Sequence, residues 1–243
     1  MEAQGLFVVG TDSGVGKTII TGGLAGALRQ QGVDVGVMKP ISTGAVEERG
    51  RRTSTDALFL KKASKVEDPL EAICPLCLLA PTAPILAASM ENLDIHLGSL
   101  KDAYDGLAAE HDFMLVEGIG GLLTPLTERT FLADLVRMLN LPLLVVTRRD
   151  GGTVNHTLLT IRYAQLVGVE VAGLIINNVR PRATDLAART NPDLLRQLAS
   201  VPVFGVIPYS GKISVERGEI GDVVELLWDC AAALHESVYM GPV

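Results

Sequence analysis

The chain has 243 residues, of which 48% are hydrophobic, 20% charged and only 4% aromatic, and its formal net charge is −7. That length and apolar content suffice for a sizeable core, while the negative balance and scarce aromatics argue against a broad grip on nucleic acid or an anionic membrane surface. Three cysteines suit a reducing cytoplasm better than a disulfide framework, the opening MEAQGLFVVG lacks the marks of a secretory signal, and no apolar run approaches the roughly 20 residues of a membrane span.

The first predicted strand is LFVV, residues 6–9, and GTDSGVGKT follows it at residues 10–18. Ile20, Leu24, Ala27 and Leu28 then recur at helical spacing. A second strand is expected at 33–38, running into KPISTG at residues 39–44, and the polar stretch EERGRRTST at 47–55 reads as a mobile loop. DALFLKK, from Asp56, opens another helix. CPLC, residues 74–77, has redox or zinc spacing, but no second pair of ligands accompanies it, and its apolar setting reads as buried structural thiols.

Further strands are expected at 113–116, 143–146, 171–176 and 203–207, with a helical stripe of Phe131, Leu135, Met138 and Leu139 after the first of them. TRRD at residues 147–150 is a faint match to a guanine-reading motif and lacks its lysine, and the last helix, from Asp222 to Met240, is amphipathic but acidic. The strands are almost continuously apolar, as in a parallel sheet buried on both faces. Strands alternating with helices predict one α/β domain, doubly wound and mostly parallel, with helices on both faces and ligands at the carboxyl edge of the sheet.

A glycine-rich turn between strand and helix presents backbone N–H groups to phosphate oxygens, with Lys17 placed to reach the phosphates and the Thr18 hydroxyl to bind Mg²⁺. The glycine spacing departs from the common loop, and Asp12 stands where partitioning ATPases carry a second lysine, which argues against such a switch. Lys39, held extended before Pro40, leaves the sheet at its ligand edge; the alternative is a solvated loop lysine. Asp56 is a candidate metal ligand or a helix N-cap. Glu117 ends an apolar strand and precedes GIGG, whose glycines allow close backbone approach to a ligand. Thr18, Asp56 and Glu117 would together supply the few hard oxygens that Mg²⁺ takes alongside phosphate.

GTDSGVGKT, KPISTG, STDAL, PTAP, LVEGIGGLLTPL, VNHTLLT and GLIINNV, in that order, resemble the dethiobiotin synthetases, and the likeness spans residues 10–209. The resemblance implies a phosphate-loop fold and a homodimer that uses ATP and Mg²⁺ to close a ureido ring on 7,8-diaminononanoate with CO₂. The route would run through a carbamate and a carbamic–phosphoric anhydride. It implies ATP contacts at Gly14, Val15, Gly16, Lys17, Thr18 and Ile19, at Asp56 and at Glu117, Gly118, Ile119 and Gly120. It places adenine near Asn177, Asn178, Ile207, Pro208 and Tyr209. Lys39 and Thr43 would hold the carbamate, with Lys17 and Lys39 as the catalytic pair. Gly152, Thr153, Val154 and Asn155 would grip the substrate carboxylate from the partner subunit. The segment beyond Gly211 carries no part of the likeness. Two other readings are a partitioning-type switch ATPase and the ATP-dependent amidation domain of a cobyrinate-type synthetase, which ordinarily needs a glutaminase domain.

Overall fold

Uninterrupted aliphatic runs form strands that are covered on both faces only if successive side chains can each find a separate core. In the computed structural model, which describes residues 4–48, 50–181 and 186–239, they do so. The elements begin with β1 (Gln4–Gly10), α1 (Lys17–Gln30), β2 (Val35–Met38), β3 (Ile41–Thr43), β4 (Val46–Glu48), β5 (Arg51–Thr53) and α2 (Thr55–Ser64). They continue with α3 (Leu70–Ile73), β6 (Leu76–Leu78), α4 (Pro84–Met90), α5 (Leu97–Ala108), β7 (Phe113–Glu117), α6 (Leu132–Leu139) and β8 (Leu143–Arg148). The last are α7 (Thr153–Leu166), β9 (Val171–Asn177), α8 (Leu186–Leu198), β10 (Val203–Ile207), α9 (Val223–Leu226) and α10 (Trp228–Tyr239).

The central sheet has six strands in the order β10-β9-β8-β1-β7-β2. Every neighbouring pair in it is parallel. Along β1, Leu6 and Val8 enter one core with Leu24, Phe59, Leu115 and Val146, while Phe7 and Val9 enter the other with Val116, Leu135, Val145 and Ile176. The period-2 alternation is present in space, but both faces are apolar, so it is invisible in the sequence.

α1 lies against one face of the sheet and packs tightly on its neighbours. A Cβ at Gly26 would fall 2.6 Å from the Ala63 carbonyl oxygen of α2, and one at Gly23 would fall 2.8 Å from the Val223 carbonyl oxygen. These glycines let two backbones approach the helix that starts at the phosphate-binding loop.

Several boundaries differ from expectation for local reasons. The strand expected from Val33 begins at Val35, because the Val33 N–H donates to the Leu28 carbonyl and finishes α1 instead. The expected mobile loop at 47–55 contains a hairpin: β4 pairs antiparallel with β5, and Arg52 reaches Glu47 at 3.5 Å; residue 49 lies outside the described residues. In the stripe read as Phe131, Leu135, Met138 and Leu139, only the two leucines are buried. Phe131 caps α6, its N–H donating to Asp134. The last helix is interrupted at Leu227, giving α9 and α10, and Met240 lies outside the described residues. A short parallel pair, β3 with β6, was not expected.

Leu24 is fully buried in α1 beneath the phosphate-binding loop. Leu24→Ala should lower the unfolding free energy by about 2–5 kcal/mol, read as a lower urea midpoint at unchanged slope. A loss below about 0.5 kcal/mol would mean that this face of α1 is not a packed core.

Candidate active site

The carboxyl ends of β1, β2, β7 and β9 deliver Gly10, Met38, Glu117 and Asn177 to one edge of the sheet. From β1 the chain turns through the glycine-rich loop. Gly16 caps α1 at φ 91°, a left-handed conformation natural to glycine, and no side chain caps the helix or places an acid in its first turn. The first N–H groups of α1 are therefore not answered by an anion of the chain itself. A Cβ at Gly16 would lie 2.1 Å from Asn177 Nδ2. That amide donates to the Val15 carbonyl at 3.0 Å and ties the loop to the end of β9. Lys17 folds back over the loop, its Nζ donating to the Asp12 carbonyl at 3.3 Å.

Beside the loop lies a compact charge cluster. The Lys39 backbone N–H donates to the Ile73 carbonyl at 2.7 Å, fixing the lysine where β2 ends. Its ammonium sits 2.6 Å from Glu117 Oε1 and 2.9 Å from Asp56 Oδ2, and also donates to the Gly118 carbonyl. The Thr18 hydroxyl donates to Glu117 Oε1 at 2.8 Å. Asp56 is free for this role because Ser54 caps α2, its Oγ accepting from the Ala57 N–H at 3.2 Å. Glu117 is 1% and Lys39 3% exposed, so neither charge is tolerable without the other.

The electrostatics follow from that burial. Burial alone would lower the Lys39 pKa, but Glu117 and Asp56 outweigh it and hold the ammonium well above its ordinary range. Burial likewise opposes the Asp56 charge, yet Lys39 and the Thr18 hydroxyl hold this carboxyl below its usual range. Glu117, more deeply buried, is pushed up by desolvation despite Lys39. Lys17 is pushed down to about 8 by burial and by repulsion from Lys39, which outweigh the nearby carboxylates. Glu117 Oε2 is buried without a hydrogen-bond partner. An orphaned carboxylate oxygen beside Asp56 and the Thr18 hydroxyl is a donor set of the kind Mg²⁺ takes, so these residues fit that ion.

These groups line a cavity of about 510 Å³. Its lining includes Gly14, Gly16, Lys17, Thr18, Ile19, Lys39, Thr43, Asp56, Glu117, Ile119 and Gly120. Asn177, Asn178, Ile207, Pro208 and Tyr209 line it as well. Val15 and Gly118 do not line it and act through their carbonyls. Gly152, Thr153, Val154 and Asn155 also lie outside it. They open α7 as expected, with Gly152 as cap, but the Thr153 hydroxyl is buried in bonds to Thr147 Oγ1 and the Arg148 carbonyl. Thr147, from TRRD, belongs to the same hydroxyl knot, with Thr11 and Thr157.

Sequence reasoning missed Thr55 and the wall built by Ser210, Ile213, Val215 and Glu216. That wall is irregular chain, organised by a single bridge between Ser214 and Glu219, and no periodicity marked it. Ser42, whose hydroxyl in KPISTG the sequence offers beside Thr43, does line the cavity and accepts a hydrogen bond from Ser54 Oγ at 2.8 Å.

The family profile described as "AAA domain" matches residues 4–217. The ATP-dependent dethiobiotin synthetase BioD of Thermodesulfovibrio yellowstonii is 35% identical over 237 residues, 95% of this chain and 98% of that protein. The protein of the same name from Bacillus velezensis is 39% identical over 88% of this chain and 90% of its own length. That of an Anaeromyxobacter species is 40% identical over 91% and 97%. Among solved structures, the cell-division ATPase MinD of Pyrococcus furiosus aligns with a TM-score of 0.59 at 16% identity, covering 97% of this chain and 99% of that one. A ParA-family ATPase from Chlorobium tepidum aligns with a TM-score of 0.58 at 16% identity, covering 94% and 98%. Those structures speak for the phosphate-loop fold alone, whereas the sequence relatives, matched from end to end, place the chain in the family of the ATP-dependent dethiobiotin synthetases.

Proposed function

We propose that the protein is itself a dethiobiotin synthetase of the cytoplasm, one ATP-binding cyclo-ligase domain that closes a ureido ring on 7,8-diaminononanoate with CO₂. The observation that carries this reading is the cluster of Lys17, Lys39, Asp56 and Glu117 in the wall of a cavity of about 510 Å³, beside the phosphate-binding loop. The loop N–H groups and Lys17 hold the phosphates. Thr18, Asp56 and Glu117 would hold Mg²⁺, which would supply Lewis-acid neutralisation of the phosphate charge. Adenine lies toward Asn177 and Asn178. The Asn177 amide nitrogen is committed to Val15, and Asn178 Oδ1 is buried without a partner, so acceptor oxygens predominate there. An acceptor suits the exocyclic amine of adenine and opposes the carbonyl of guanine.

Lys39 neutralises the two carboxylates in the ligand-free protein. Its ammonium lines the same cavity as Thr43, where it is placed to meet the substrate. One amine of the diamine adds CO₂ to give a carbamate, held by Lys39 and Thr43. The carbamate oxygen attacks the γ-phosphorus in line and ADP leaves. The second amine attacks the anhydride carbonyl and loses its proton as the five-membered ring closes and phosphate departs. Alignment and charge neutralisation carry the phosphoryl step, so no side-chain nucleophile is needed.

The test is ATP hydrolysis with and without diamine and bicarbonate: phosphate release that depends on both, with dethiobiotin as product, supports the reading. Turnover indifferent to the diamine would overturn it in favour of a switch ATPase. Lys39→Gln should keep nucleotide binding close to normal and lose about 10²–10³ in turnover, the usual effect of removing one charge-assisted contact from a desolvated site.

Lys17 sets a pH dependence. Its pKa is about 8 in the free protein, and a bound phosphate must raise it. The protonated form binds, so affinity for metal-free ADP is full below that pH and should fall about tenfold per unit above it. Calorimetric titration across that range checks this, and a flat profile would remove Lys17 from the phosphates.

Gly152–Asn155 lie off the cavity at a helix start with no side-chain cap, an arrangement suited to serving the partner's site in a two-fold dimer. Lys17→Ala and Asn155→Trp homodimers should then both be inactive, Asn155 being exposed and its replacement compatible with folding. Random mixing yields about half mixed dimers, each with one intact site, so roughly a quarter of the activity should return. A dead mixture with demonstrated subunit exchange would place the whole site in one chain.

A further inference from the structure

The sequence reads Cys74 and Cys77 as buried structural thiols. Cys74 is buried, but Cys77 is half-buried, and both line a second cavity of about 540 Å³ with Arg52, Ser54 and Lys61 around them. Their Sγ atoms are 3.3 Å apart. We propose that Cys74 and Cys77 form a reversible dithiol site, oxidised to an intrachain disulfide by low-molecular-weight disulfides such as oxidised glutathione.

The geometry pre-positions the pair. The Cys74 N–H donates to the Leu70 carbonyl at 2.8 Å, so that sulfur hangs from the last turn of α3. Cys77 lies in β6, paired with Ser42 of β3. Two anchored backbones thus hold the sulfurs about 1.3 Å further apart than a disulfide bond, a closure that side-chain rotation can supply. The roles of the two thiols differ. The Cys77 thiol donates to the Cys74 sulfur, and once Cys77 ionises its contact with Cys74, helped by the Ser54 N–H and Arg52, holds the Cys77 pKa down. The same contact, with burial, raises that of Cys74. The more accessible, more acidic sulfur is the attacking one.

The step balances by thiol–disulfide exchange. The Cys77 thiolate attacks one sulfur of the small disulfide, breaking its S–S bond, forming a mixed disulfide and releasing one thiolate. The Cys74 thiol gives its proton to solvent or to that departing thiolate. Its sulfur then attacks Cys77 Sγ and releases the second small thiol. Two protein thiols are oxidised and one small disulfide is reduced to two thiols. The third cysteine, Cys230, is buried with its thiol directed to the Phe204 carbonyl at 3.4 Å and serves as an internal control.

The full-length reduced protein, equilibrated with mixtures of oxidised and reduced glutathione, quenched in acid and weighed intact, tests this. The expected result is a mass lower by two hydrogens, mapped to a Cys74–Cys77 peptide, reversed by dithiothreitol, with Cys230 unmodified. In a time course a transient glutathione adduct on Cys77 should precede the disulfide, which tests the proposal in the native chain without any variant. Cys74→Ser should trap that adduct, and Cys77→Ser should leave Cys74 unmodified. A pair that stays reduced in excess oxidised glutathione overturns the proposal. So does an adduct on Cys77 that persists in the native chain, or oxidation of Cys230 at the same rate.

Discussion

A lysine and a glutamate, each almost wholly removed from water, meet at 2.6 Å where two strands end. Desolvating either charge alone costs several kcal/mol, so Lys39 and Glu117 are tolerable only as a pair, and Asp56 is drawn to the same ammonium. That constraint reaches far into the fold. Glu117 must end β7 and Lys39 must follow β2, which requires those two strands to be parallel neighbours in register, as Met38 opposite Val116 makes them. Asp56 must arrive from the first turn of α2, which requires α2 to lie against α1, and the glycine at position 26 permits that approach. A buried ion cluster is a poor source of stability compared with apolar packing. Its persistence here is explained by use: the same charges that neutralise one another in the free protein are the ones a metal–nucleotide complex would engage.

A second tie works in the same direction. Asn177 reaches from β9, two strands away from β1, to the carbonyl of Val15 inside the phosphate-binding loop. Any side chain at Gly16 would strike that amide. The loop is thus held from behind by packing and from the side by one hydrogen bond, which pre-organises N–H groups that a flexible glycine-rich turn would otherwise have to order on binding. Rigid placement of donors before the ligand arrives is the main physical means by which a phosphoryl-transfer site gains rate.

What could be read in advance follows the same physics. The six sheet strands were legible because continuous aliphatic runs bounded by turn residues have few other uses, and the phosphate loop was legible because strand, glycines, Lys17, Thr18 and helix occur in order. Val33 misled because its side chain is as strand-like as Val35, and only the N–H bond to Leu28 assigns it to the helix end. The hairpin at 46–53 was hidden by its charges, since Glu47 and Arg52 satisfy each other across the strands and need no apolar face. β3 and β6 are three residues each, too short to show a period. The wall from Ser210 to Glu216 is irregular chain that acquires its position from tertiary contacts alone. Thr153 shows the converse: correctly placed at a helix start, its hydroxyl is spent on the Thr147 knot.

The comparison with MinD and ParA shows how little of the activity the fold decides. A shared backbone at 16% identity brings a phosphate loop to the same sheet edge in a cell-division ATPase, a ParA-family ATPase and this chain. The differences lie in single side chains on that edge. Asp12 here offers a backbone carbonyl to Lys17 at the loop position where a partitioning ATPase would carry a second lysine. Lys39 supplies a second cation from within the same chain, anchored by its own N–H to Ile73 and paired with Glu117 and Asp56 in the cavity that Thr43 also lines. A cation that is held in cis by strand geometry is present at every turnover and needs no partner protein to deliver it. This favours continuous small-molecule chemistry over a cycle gated by assembly.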